Sequence, residues 1–149
     1  MLDHSGIAAL IPHQGAMCLL ETVVACSEIA IDCLAISHRN PANPLRAEGR
    51  LGAANGIEYA AQAMAVHGAL LAGQTEAPRQ GYLASVRSVR LLVERLDDLP
   101  QPLAIHAERL SGEGNHILYQ FALSHAGQLL LDGRAAVVLD ADTPQEFRP

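Results

Sequence analysis

The chain contains no lysine and no tryptophan; all ten of its cationic side chains are arginines. The missing lysine excludes Schiff-base catalysis, which needs a nucleophilic amine. It also excludes a Walker-type loop, whose lysine reaches the phosphates. Aromatic residues are only 3% of the 149 positions. The core must therefore be filled by Leu, Val, Ile and much Ala, side chains small enough for a helix and a sheet to approach closely. Positive charge is scarce as well. Ten Arg against 16 Asp and Glu give a formal net charge of −6 and a pI of about 5.5. Such a surface does not attract nucleic-acid phosphates, and no nucleic-acid partner is expected.

Cysteine is sparse and unpatterned. Cys18, Cys26 and Cys33 are odd in number and form no CxxC pair. That excludes a disulfide framework and a zinc knuckle, and all three read as small buried hydrophobes. The seven histidines lack metal-ligand spacing, so no metal or other cofactor is expected. The acidic start at Met1, Leu2, Asp3 and His4 has no basic region, and Pro12 interrupts the apolar stretch behind it, which does not read as a signal peptide. The longest uncharged run, 59–75, holds Gln62, His67 and Gly68 and reads as a helix buried in protein rather than a membrane span. The expected setting is the cytoplasm, with no membrane partner.

What is present is a change of hydrophobic period. A short helix is expected over 3–10, stopped by Pro12. Two apolar runs, 17–25 and 29–37, are split by Ser27 and Glu28 and read as a hairpin. A polar loop follows over 38–50. Asn55 with Glu58 three positions later is a capping-box pattern opening a helix that runs to about Leu71. That helix is apolar nearly all round, so it should be covered on most sides. The period then becomes two: strands are expected over 81–94, with Tyr82, Ala84, Val86 and Ser88 on one face, then around Leu103–Ile105–Ala107, around Ile117–Tyr119–Phe121–Leu123, and over 129–139. Turns are expected at 112–115 and 125–127. Residues 1–140 read as one domain and 141–149 as a flexible tail. The order is two strands, one long helix and four antiparallel strands, an α+β arrangement in which a sheet wraps one helix and an edge or face invites a partner subunit.

Two segments carry a family resemblance. Ile11-Pro12-His13-Gln14-Gly15-Ala16-Met17-Cys18-Leu19-Leu20-Glu21 resembles the "LPHRxPxLLxD" opening of the 3-hydroxyacyl-[acyl carrier protein] dehydratases, and Glu58-Tyr59-Ala60-Ala61-Gln62 is similar to their central-helix "E-[AY]-x-A-Q" signature. Gly81-Tyr82-Leu83 matches their first strand after the helix. The resemblance covers residues 11–139 and implies the hot-dog fold, an antiparallel sheet around one long helix. It departs from the best-known members at 43–56, where a "GHFPGxPxxPG" segment would supply a catalytic His; here Asn43-Pro44-Leu45-Arg46 and Gly49-Arg50-Leu51 contain none. This resembles a divergent branch found with aryl-polyene-type pathways.

Dehydration of a 3-hydroxyacyl thioester needs a base for the α-proton, an acid for the leaving hydroxyl and donors for the enolate-like oxygen. The family uses a His and a Glu from different subunits of a dimer. The resemblance makes Glu58 the catalytic carboxylate, although its spacing alone is equally satisfied by a helix cap. His13 is the candidate imidazole, with a backbone-bonding structural role as its alternative. Gln62, one turn beyond Glu58 on the same helix face, orients the site or pairs with a strand backbone. Asn55, Gly56 and Tyr59 complete the candidate substrate contacts. Gly56 would leave room for close approach, and the N–H groups of Gly56 and Ile57 would polarise a thioester carbonyl. His38 reads as a solvated loop residue, His67 as a packed or interface one, and Asn43 as a turn residue, with a polar substitute in the loop as its alternative. Arg46, Arg50, Arg79, Arg87 and Arg90 are candidates for docking an acidic carrier protein.

The function expected is dehydration of acyl-carrier-protein- or coenzyme-A-bound 3-hydroxyacyl thioesters by a homodimer or a heterodimer with a related subunit. An acyl thioesterase would use the same carboxylate to direct water. A catalytically weak structural subunit of a heteromeric dehydratase is the third reading.

Overall fold

Six antiparallel strands and one long helix are seen in a computed structural model that describes residues 2–73, 81–113 and 115–139. The tail at 141–149 and Arg79 lie outside the described residues. Helix α1 (His4–Ala8) starts at Asp3, whose carboxylate accepts the Gly6 N–H. Strands β1 (Thr22–Cys26) and β2 (Ala30–Ala35) pair around a turn in which the Ser27 hydroxyl accepts the N–H groups of Ile29 and Ala30. Helix α2 (Gly56–Ala72) follows, then β3 (Gly81–Leu91), β4 (Leu103–Glu113), β5 (His116–His125) and β6 (Gln128–Leu139). The sheet order is β1-β2-β4-β5-β6-β3, with α2 laid against β2, β4, β5 and β3. This is the hot-dog arrangement, with β1 and β3 at its edges.

The period-two segments behave as their patterns require. Leu103, Ile105 and Ala107 of β4 and Ile117, Tyr119, Phe121 and Leu123 of β5 face α2 and are buried, while His106, Glu108 and Gln120 point outward. Ala126 and Gly127 both have positive φ, as a two-residue hairpin turn between β5 and β6 demands. Gly56 explains how α2 sits so close to the sheet. A Cβ there would lie 2.8 Å from Leu131 Cδ2 and 3.2 Å from Leu123 Cδ2. The space left by its missing side chain is therefore filled by two leucines, not open to a ligand.

Three expectations need correction. The run 17–25 is a strand only from Thr22; Gly15–Met17 is a 3₁₀ turn, and the backbone at Met17 and Leu19 is hydrogen-bonded to a side chain of α2 instead of a strand. In β3 no single face runs through Ala84, Val86 and Ser88. Register breaks at Leu83/Ser85 and Arg87/Arg90, with Ser88 at φ +56, turn both Val86 and Val89 toward the core; the side chain of Tyr82 is outside the described set. Cys26 is exposed at the end of β1, whereas Cys18 and Cys33 are buried as expected.

The packed His67 of α2 is fully buried, as expected. Its Nε2 lies 2.8 Å from the Ser27 carbonyl and its Nδ1 2.7 Å from the Tyr119 hydroxyl. A carbonyl accepts only, so Nε2 carries the proton and Nδ1 accepts from the tyrosine in the neutral form. Burial lowers the pKa of His67 below its ordinary 6.5, more than the Ser27 carbonyl raises it, and Arg109 lowers it further. The unfolded chain then binds this proton more readily than the folded one. The stability due to neutral His67 is complete above pH 6.5 and is lost as pH falls through the lowered value. Buried His38 is lowered for the same first reason. His106 opposes them: burial, which lowers it, is outweighed by Asp32 and Glu108, so its contribution is lost as pH rises. Urea unfolding midpoints at about pH 7.5 and about pH 5.5 should therefore fall on acidification, and fall less in a His67→Gln variant, which keeps a donor and an acceptor but does not titrate. Equal falls in both proteins would remove His67 from the acid response.

Candidate active site

Glu58 lies in the first turn of α2, but it does not close a capping box. A 3₁₀ turn, Ala53–Asn55, runs directly into the helix, and this holds Asn55 in a helical conformation with no side-chain capping bond. The Asn55 amide donates instead to the Gly52 carbonyl at 3.1 Å. The same turn engages the Gly56 N–H with the carbonyls of Ala53 and Ala54, so that group is not available to polarise a substrate carbonyl. Freed from capping, Glu58 turns to the segment between α1 and β1, where its Oε2 meets His13 Nε2 at 3.2 Å. The side chains are about a third and a quarter exposed (34% and 27%). His13 Nδ1 is buried and has no partner among the described residues. Among the same residues, Glu58 Oε1 has no hydrogen-bond or ion-pair partner.

Gln62 holds this pair in place. Its Oε1 accepts the Leu19 N–H at 2.9 Å, and its Nε2 donates to the Met17 carbonyl at 2.7 Å and to Glu58 Oε2 at 3.3 Å. The Met17 carbonyl and the Leu19 N–H leave the amide only one orientation. The polar chain continues beyond it. Asn43 Nδ2 donates to the Tyr59 hydroxyl, the tyrosine donates to Ser37 Oγ, and Ser37 donates to the Leu19 carbonyl. Each hydroxyl direction follows from the last carbonyl, which can only accept. Asn43 also bonds the Ser37 carbonyl and the Leu45 N–H, so it is a buried bracket for the loop as well as a turn residue.

Glu58, His13 and Gln62 thus come together, while Tyr59, Gly56 and Asn55 are engaged in the protein's own packing. Tyr59 is fully buried with its hydroxyl in the chain just described, and burial raises its pKa. His38 corrects another expectation. It is fully buried, with Nε2 3.0 Å from the Leu99 carbonyl and Nδ1 unpartnered among the described residues. A tie across 61 residues has no local sequence signal. Of the docking candidates, Arg46 is bonded to the His38 and Gly49 carbonyls and Arg90 is paired with Asp132. Beside the Gln62-held segment a cavity of about 430 Å³ is bordered by His4, Gly15, Ala16, Cys18, Ser37 and Arg39, though not by Glu58 or His13. No group of side chains among the described residues could hold a metal ion, and no described helix is long and apolar enough to cross a membrane.

The sequence pattern of the ApeP-like family, described as ApeP dehydratase, matches residues 5–148. The chain belongs to the ApeP-like dehydratase family. It is similar to the solved dehydratase heterocomplex ApeI:P from Xenorhabdus doucetiae, with 25% identity over 98% of this chain and 96% of that one and a TM-score of 0.83. Two more distant structures share the fold: a putative thioesterase from Silicibacter sp. (14% identity, 95% and 94% covered, TM-score 0.63) and a hypothetical thioesterase with coenzyme A from Streptococcus pneumoniae (11%, 80% and 85%, 0.60). No curated protein matches the chain in sequence. His13 is the imidazole that meets the helix carboxylate among the described residues.

Gln62 is fully buried, so replacing its amide leaves the Met17 carbonyl and the Leu19 N–H unpaired. A Gln62→Leu variant should lose about 2–5 kcal/mol in urea unfolding. A loss under about 0.5 kcal/mol would show that the amide does not hold this segment.

Proposed function

We propose that this chain dehydrates 3-hydroxyacyl thioesters, carried on an acyl carrier protein or coenzyme A, to trans-2-enoyl thioesters, with Glu58 and His13 as the proton-transfer pair. One observation carries the reading: a carboxylate about a third exposed whose Oε2 is held by an imidazole and a carboxamide, while its Oε1 has no partner among the described residues. Oε1 takes the proton from the α-carbon as the α,β double bond forms and the bond from the β-carbon to oxygen breaks. The leaving hydroxyl takes a proton from the Glu58–His13 pair and departs as water. One proton moves from carbon to oxygen, and the pair ends as it began. Gln62 acts as a positioning residue, holding Oε2 in place so that Oε1 keeps its direction.

Membership in a dehydratase family supports the reaction type. The similar structure is a heterocomplex, and this chain lacks the loop histidine, so we assign it a related hot-dog subunit as partner. The exposed edges β1 and β3 are where a second sheet can join. The cytoplasmic setting rests on three unpaired cysteines and the acidic composition.

The test is mass analysis of a 3-hydroxyacyl carrier protein incubated with the purified protein, alone and with its partner subunit. Loss of water is expected, and Glu58→Gln should slow it about 10²–10⁴-fold, the usual reach of a general acid–base group. Release of free acid would instead identify a thioesterase. No change, or full dehydration by Glu58→Gln, would overturn the assignment.

A further inference from the structure

The face of the sheet turned away from α2 carries a feature that the Glu58 site does not use. Arg87 of β3 and Arg134 of β6 are direct partners in the strand register, and both are exposed. Like charges opposite one another weaken a strand pair unless something neutralises them. The nearby carboxylates among the described residues are otherwise occupied. Asp132 is held by both nitrogens of the Arg90 fork, and Glu108, across Gln120 from Arg134, is 3.5 Å from His106. His106 in turn bonds Asp32 at 2.7 Å. Among the described residues neither Arg87 nor Arg134 has an ion-pair or hydrogen-bond partner. Arg87, Arg134 and Ser85 border a cavity of about 290 Å³ together with the apolar residues Leu118, Ala135 and Ala136.

We propose that this outer-face cavity is a binding site for a compact oxyanion, a phosphate monoester or a carboxylate, held between Arg87 and Arg134 with Ser85 as a further donor. A planar guanidinium matches the oxygens of either group with two parallel N–H donors. A shared anion removes the repulsion of the paired cations. The apolar wall gives room for a short carbon body behind the charged head, so the ligand class is a small amphipathic anion. The site lies on the opposite side of the sheet from Glu58 and does not depend on the proposed dehydration.

The experiment is a ¹⁵N NMR titration of the full chain at low ionic strength, with inorganic phosphate in one arm and hexanoate in the other. Sodium chloride at matched ionic strength is the reference. Saturable shifts at the amides of Ser85, Leu118, Arg134 and Ala136, absent with chloride, are expected in at least one arm. The tighter arm distinguishes a phosphate from a carboxylate ligand. The Arg87→Gln/Arg134→Gln double variant, folded by circular dichroism, should bind at least about tenfold more weakly, whereas Arg50→Gln on the remote loop should bind as the parent does. Shifts that follow ionic strength alone, or equal binding by the double variant, would overturn the site.

Discussion

The buried carboxamide of Gln62 joins the helix of this protein to its amino-terminal segment, and the candidate active site depends on that junction. With no exposure to solvent, it accepts one backbone N–H, donates to one backbone carbonyl, and spends its remaining donor on Glu58. A buried polar group is tolerated only when its partners are satisfied. The segment at 17–19 therefore has to lie beside α2, and it brings His13, four residues upstream of Met17, to the Glu58 carboxylate. The same bonding explains why residues 17–19 read as a strand but do not pair as one: the backbone at Met17 and Leu19 is engaged by a side chain, and pairing with β2 begins at Glu21, whose N–H donates to the Leu34 carbonyl.

Close approach of the helix makes this possible. Gly56 lets Leu131 and Leu123 fill the space where a side chain would stand, and the small residues Ala60 and Ala63 continue the buried face. Polar groups taken into this tight interior are linked in a directed chain from Asn43 through Tyr59 and Ser37 to the Leu19 carbonyl. The chain fastens the polar loop to the same segment that Gln62 holds. Loop, helix and amino-terminal segment thus meet around one stretch of backbone.

Much of the fold was legible in the sequence because it is written locally. Alternation at Leu103, Ile105, Ala107 and at Ile117, Tyr119, Phe121, Leu123 marks β4 and β5, and the all-round apolar run marks α2. The candidate pair was legible through the two motif segments that hold His13 and Glu58, but their meeting was not. What the sequence concealed is of two kinds. Long-range ties such as Leu19 to Gln62, 43 residues apart, and His38 to Leu99, 61 apart, leave no periodic trace. Local alternatives of similar energy were also decided by packing. Asn55 and Glu58 have the spacing of a capping box, yet the 3₁₀ turn before α2 gives Asn55 a helical backbone and releases Glu58.

Two faces of the sheet thus carry different chemistry. On the inner side, α2 presents a carboxylate whose orientation is set by groups from two parts of the chain, and the outer face presents two arginines in register that have no partner among the described residues. The inner arrangement depends on whether the Gln62 junction persists in solution. Amide hydrogen exchange at Leu19 tests this most directly, because its N–H belongs to no strand and, among the described residues, is held by the Gln62 side-chain oxygen alone. Protection comparable to that of Ile105 in the middle of β4 is the predicted result. Exchange as fast as in an exposed turn would contradict the account, since the segment would then not be fastened and His13 would have no fixed relation to Glu58.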